Sequence, residues 1–174
     1  MAPNVVTILF DDLGFAQLGC FGGAAIDTPN IDRLAAGGLR YNRFHVTALC
    51  SPTRASLLTG RNHHAVGVGF LVDVPFDDPG YRARIPATAA TLPRILRDNG
   101  YSTMAVGKWH LTPIGERSHA GPFSTWPLGL GFESYYGCLQ GGTNQWVPNL
   151  VRDNHYVDPP STPDDGYHFT EDIT

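Results

Sequence analysis

At 174 residues and 42% hydrophobic content, the chain is long enough to build one domain around a proper core. Its net charge of −4 gives no reason to expect nucleic acid or an anionic membrane surface as a partner. No apolar run approaches the roughly 20 residues needed to span a bilayer.

Charged residues make up 16% and Gly plus Pro number 20 and 14, so much of the chain is expected to be turn and loop. The three cysteines, Cys20, Cys50 and Cys138, are an odd count that argues against a disulfide framework. Met1-Ala2-Pro3-Asn4 runs straight into the first apolar segment, which leaves no room for a signal peptide. A cytoplasmic location is the expectation, periplasmic or secreted if a leader is missing.

In chain order, Val5 to Phe10 is short, largely apolar and β-branched, and reads as a central parallel strand buried on both faces. Asp11 and Asp12 follow it directly, at the strand end where ligands gather in open α/β sheets. Asp27 or Thr28 caps a helix that has Pro29 near its first position, Ile31, Leu34 and Ala35 on one face, and Gly37-Gly38 as its stop. Leu39 to Val46 reads as a strand leading into Cys50. Ser51 is expected as N-cap of the next helix, Pro52 fits its first turn, Leu57 and Leu58 face inward, and Gly60 ends it. Leu71 to Pro86, rich in Pro, Gly and Asp, reads as a surface loop. Leu92 to Asp98 is helical with Gly100 as its stop, and Tyr101 to Val106 is the next strand. After Gly107 the chain is mostly loop, 141–174 included. Thr170 reads as an N-cap with Glu171-Asp172 in a first turn, yet the chain reaches Thr174 before a helix forms. The alternation gives an α/β fold class.

Four features carry chemistry. Cys50 and Arg54, one turn apart at a helix start, suit a tetrahedral oxyanion, because the helix dipole and free backbone N–H groups point at the same place. A cysteine there is otherwise a small buried hydrophobe. Asp11 and Asp12 are hard oxygen donors suited to a divalent cation such as Ca2+, against an ordinary turn or cap. Lys108 and His110, i and i+2 after a strand, point to one side of an extended chain while Trp109 packs away. A solvated edge is the plain alternative for that pair. Phe15, Phe70, Trp126, Tyr135 and Trp146 are candidate pocket walls, and equally candidates for the core.

Cys50-Ser51-Pro52-Thr53-Arg54 with Leu58-Thr59-Gly60-Arg61 resembles the signature of the type I sulfatases, of the alkaline phosphatase-like superfamily. Pro3 to Gly14 resembles the opening strand and metal-binding pair of that family, Asp27 to Ala35 its next helix, and Gly107-Lys108-Trp109-His110 the strand end that delivers its lysine and histidine. Gly129 to Glu133 resembles a further family segment. Phe15 to Gly19 and Asn62-His63-His64 look closest to bacterial arylsulfatases. The resemblance implies a mostly parallel sheet with helices on both faces. It also implies that Cys50 is oxidised to formylglycine by a formylglycine-generating enzyme. The hydrated aldehyde would then attack the sulfur of a small sulfate ester, release an alcohol or phenol, and eject sulfate through its second hydroxyl. Under the same resemblance, Asp11, Asp12 and an oxygen on the modified Cys50 hold one Ca2+, Arg54 and Lys108 bind the sulfuryl group, and His110 hydrogen-bonds the hydrate and assists proton transfer.

Family members are much longer, and their later metal ligands, histidine and second lysine find no match here. His119, His155 and His168 lie in unrelated loop contexts. The expectation is therefore the N-terminal part of a sulfatase catalytic domain over residues 1–174, apparently truncated. A phosphonate or phosphate-ester hydrolase of the same superfamily and an inactive fragment stay open as alternatives.

Overall fold

Prolines at first turns and glycines past last turns punctuate the helices of this chain, as a computed structural model describing residues 2–174 shows. The chain divides into two units, Met1–Val46 and Thr47–Thr174. Met1, part of the expected N-terminal run, lies outside the described residues.

In the first unit, α1 spans Pro29–Ala36, with Pro29 at its start and Gly37 as C-cap. Thr28 stands at the N-cap, but its hydroxyl donates to Asp32 Oδ1 at 3.1 Å and accepts the Gly19 amide at 2.9 Å, so it ties the helix to the preceding turn. Leu34, expected inward, is 72% exposed. The strand expected at Val5 to Phe10 does not form, and its apolar side chains are 38–81% exposed. Leu39 to Val46 likewise forms no strand. A strand exists only as one side of a hydrogen-bonded ladder. Neither segment is laddered to the other or to any other described residue, so β-propensity alone does not make them strands.

The second unit holds all the regular strands among the described residues. Helix α2 spans Cys50–Thr59 and closes on Gly60 at φ +64, the left-handed position where a side chain is penalised. Helix α3 spans Leu92–Asp98, as the sequence predicts, and Gly100 follows at φ +85. Strand β1 is Met104–Lys108, shifted two to three residues from the expected Tyr101 to Val106. It pairs in parallel with β2, Ser134–Cys138, in the register Met104 to Ser134 through Lys108 to Cys138. Strands β3 (Leu150–Arg152) and β4 (His155–Val157) complete a four-stranded sheet of order β1-β2-β3-β4, both added antiparallel. The sheet is therefore mixed, with one parallel and two antiparallel pairs. A two-residue connection, Asp153-Asn154, can join only antiparallel neighbours. A four-residue helix, α4 (Phe169–Asp172), begins one residue before the expected cap Thr170.

The core of this unit gathers Val66, Val72, Trp109, Trp126, Tyr135, Leu139 and Val151, all at most 5% exposed, with Leu58 and Phe132 against it. Leu57, expected inward, is 40% exposed; Ala55 and Leu58 make the buried face of α2 instead. Leu71 to Pro86 is not a surface loop throughout, since Val72, Ala83 and Ile85 are buried in the core. All three cysteines are free. Among the described residues, no helix is long and apolar enough to cross a membrane.

Candidate active site

Cys50 is the first residue of α2, and the cap is extended Leu49 (φ −131°, ψ 155°), two residues before the expected Ser51. Ser51 does not cap because its hydroxyl is buried and accepts the Val72 amide at 3.4 Å. Pro52 sits in the first turn, where no intrahelical donor is needed. These contacts hold the helix start against the segment carrying Val72 and Asp73. Cys50 is left half-buried with its thiol at the positive end of the helix.

Arg54 donates from Nη1 to the Lys108 carbonyl, which ties α2 to the last residue of β1. Lys108 itself is half-buried. Beyond it, Trp109 turns into the core, donates from Nε1 to the Thr125 carbonyl at 3.0 Å, and meets Phe132 and Tyr135 edge-on. The strand has ended by then, and His110 adopts φ +52. The simple alternation expected of Lys108 and His110 is thus broken by a left-handed residue, which redirects the imidazole. Left-handed backbone at a non-glycine residue costs about 1–2 kcal/mol. A hydrogen bond to a charged partner contributes about 1.5–3 kcal/mol, enough to hold it.

That partner is Asp73. His110, 3% exposed, lies between Cys50 Sγ, 3.0 Å from Nδ1, and Asp73 Oδ2, 2.5 Å from Nε2. The other Asp73 oxygen pairs with Arg117 Nη2 at 2.7 Å, and Arg117 Nε donates to the Thr112 carbonyl at 2.8 Å. Burial holds the His110 imidazole below its ordinary value of 6.5, with Lys108 and Arg117 acting in the same direction against Asp73. It is neutral at neutral pH. Burial pushes the Asp73 carboxyl up, but the bond from His110 and the charge of Arg117 outweigh it and hold the group below 3.8. Gly141 closes the far side of the ring, where a Cβ would come within 2.5 Å of His110 Cε1.

The second unit thus brings Cys50, Arg54, Lys108 and His110 together at the junction of α2 and β1. Asp11 and Asp12 belong to the first unit, both exposed, with Asp12 at φ +57. Their carboxylates match a hard cation in donor type but not in number, since calcium takes six to eight oxygens. Among the described residues, no group of three or more His, Cys, Asp or Glu is gathered that could hold a metal. Of the candidate walls, Trp126 and Tyr135 are core, whereas Phe15, Phe70 and Trp146 are 58%, 37% and 55% exposed. Asp73, Arg117 and Gly141 are not legible as site residues from the sequence. They lie in irregular segments and are brought to His110 only by tertiary packing. A buried histidine's need for a partner is the one signal that could have prompted a search for an acid.

Comparison with known proteins gives this arrangement a family. The family model described as Sulfatase matches residues 3–174. Human Arylsulfatase A is 39% identical over 167 residues, covering 94% of this chain and 30% of that enzyme. Human Steryl-sulfatase is 39% identical over 139 residues, 78% of this chain and 23% of that protein. The crystal structure of Ps i-CgsB superposes with a TM-score of 0.69 at 28% identity, covering 93% of this chain and 37% of that one. The chain therefore spans less than a third of these two curated relatives. With a match that runs over nearly its whole length, the chain belongs to the sulfatase family.

Proposed function

We propose that this chain carries the nucleophile-bearing part of a sulfuric ester hydrolase, arylsulfatase-like, that cleaves a small sulfate ester to an alcohol or phenol and sulfate. The observation that carries the reading is the 3.0 Å approach of Cys50 Sγ, at the start of α2, to the buried His110. Membership of the family supports it.

Each side chain has work that follows from its place. The first turn of α2 offers backbone N–H groups and a positive dipole end to a tetrahedral anion. Arg54, bonded to the Lys108 carbonyl, and the ammonium of Lys108 would stabilise negative charge on the transferring group. His110 presents Nδ1 to the substituent on residue 50 and, being neutral, can take a proton from it. Conversion of Cys50 to formylglycine by a formylglycine-generating enzyme would supply a hydrated aldehyde, an oxygen nucleophile with a second hydroxyl, where the thiol now stands. Asp11, Asp12 and an oxygen of that group would be among the ligands of one Ca2+, which supplies charge neutralisation when bound.

The test is peptide mass across Cys50 in protein made alongside a formylglycine-generating enzyme, with paired assays of aryl sulfate and aryl phosphate. The expected mass is that of CHO in place of CH2–SH, and the expected preference is for sulfate. An intact thiol, or turnover of phosphate alone, would refute the reading.

A further inference from the structure

We infer that Asp73, anchored by Arg117, is a positioning residue that locks His110 in the Nε2–H tautomer, so that only an acceptor lone pair faces residue 50. The inference deepens the proposed function and rests on it for the role of His110, though not for the tautomer itself.

A neutral imidazole carries one N–H and one lone pair, and its partners decide which nitrogen has which. An ionised carboxylate only accepts, so the Asp73 Oδ2 contact at 2.5 Å requires the proton on Nε2. Nδ1 is then the acceptor, 3.0 Å from Cys50 Sγ. Asp73 cannot turn away, because its second oxygen is held at 2.7 Å by Arg117, whose side chain is 9% exposed and fixed to the Thr112 carbonyl. The amide of the preceding residue, Val72, is bonded to Ser51 inside α2, so the backbone bearing the carboxylate is registered to the helix that bears Cys50. Gly141 seals the ring from the side. Without this arrangement, a His110 carrying its proton on Nδ1 would present a donor to residue 50 and could not accept a proton from it.

The experiment uses the full chain labelled with 15N-histidine, in wild-type form and as Asp73→Asn and Asp73→Glu. The wild-type His110 spectrum is expected to show a bare Nδ1 and a protonated Nε2. Asn can accept or donate, so Asp73→Asn is expected to give a mixture of tautomers or the reverse one, and Asp73→Glu to restore the original. With a sulfated phenol as probe, Asp73→Asn is expected to lower kcat about 10–100-fold, the usual cost of losing an outer partner of an active histidine. KM should change little, with partial recovery in Asp73→Glu. A wild-type proton on Nδ1 would overturn the inference, and that measurement needs no variant to fold. So would an Asp73→Asn spectrum identical to wild type. A correct tautomer shift, with no sulfate-ester turnover by protein that carries this segment together with whatever follows it in the gene and is made alongside a formylglycine-generating enzyme, would instead sink the functional reading and leave the positioning role standing.

Discussion

His110 gathers more constraints than any other side chain of the site: a left-handed backbone, near-complete burial, a thiol on one nitrogen and a carboxylate on the other. The sequence names His110, Cys50, Arg54 and Lys108 because each stands in or beside a local pattern with a chemical reason. Asp73 and Arg117 stand in no such pattern. Asp73 is one of three aspartates within six residues, between Asp73 and Asp78, and only the fold tells it from Asp77 and Asp78. Its carboxyl has consequences for stability that can be measured. The folded chain holds it below the ordinary 3.8, so between the two values the unfolded chain binds the extra proton. Its contribution is fully present above about pH 4 and is lost as pH falls through the lower, folded value. Urea midpoints measured from pH 6 down to pH 2 should therefore fall more steeply for wild type than for Asp73→Asn. Parallel curves for the two proteins would count against the ion pair.

At the scale of elements, helices are more legible in the sequence than strands, for a physical reason. A helix closes its own hydrogen bonds, so Pro29 with Gly37, Gly60 behind α2, and the run Leu92 to Asp98 carry their boundaries locally. A strand needs a partner supplied from elsewhere in the chain. Val5 to Phe10 has every intrinsic mark of a strand and no ladder, whereas Ser134–Cys138, interrupted by Gly137, reads as loop yet pairs with β1 along its whole length. Gly137 fits because β1 and β2 approach closely there, where a Cβ would lie 2.0 Å from the Gly107 carbonyl oxygen. The turn that follows β2 serves the site through Gly141, beside the imidazole. Gly141→Ala should drive a methyl into the His110 ring and move it from Cys50. A displacement near 1 Å can cost about 100-fold in rate. Steady-state kcat with an aryl sulfate checks this, and an unaltered rate in Gly141→Ala would show that the ring has room to spare.

For the whole molecule, composition offers no apolar run long enough for a membrane-spanning helix and an odd cysteine count, and it does not choose among α/β enzymes. The family resemblance rests on ordered motifs running from Pro3 to Glu133, and the matched model covers residues 3–174. Thr47–Thr174 holds the cysteine, the histidine and both cations, while the paired aspartates belong to Met1–Val46. The chain aligns with 30% of human Arylsulfatase A, so activity is best measured on protein that carries this segment together with whatever follows it in the gene. The decisive measurement is sulfate release from an aryl sulfate by such protein, made alongside a formylglycine-generating enzyme, in wild-type form and as Cys50→Ala. Turnover should fall to the uncatalysed background in Cys50→Ala while its melting temperature stays close to that of wild type. Undiminished sulfate release from the alanine variant would contradict the account.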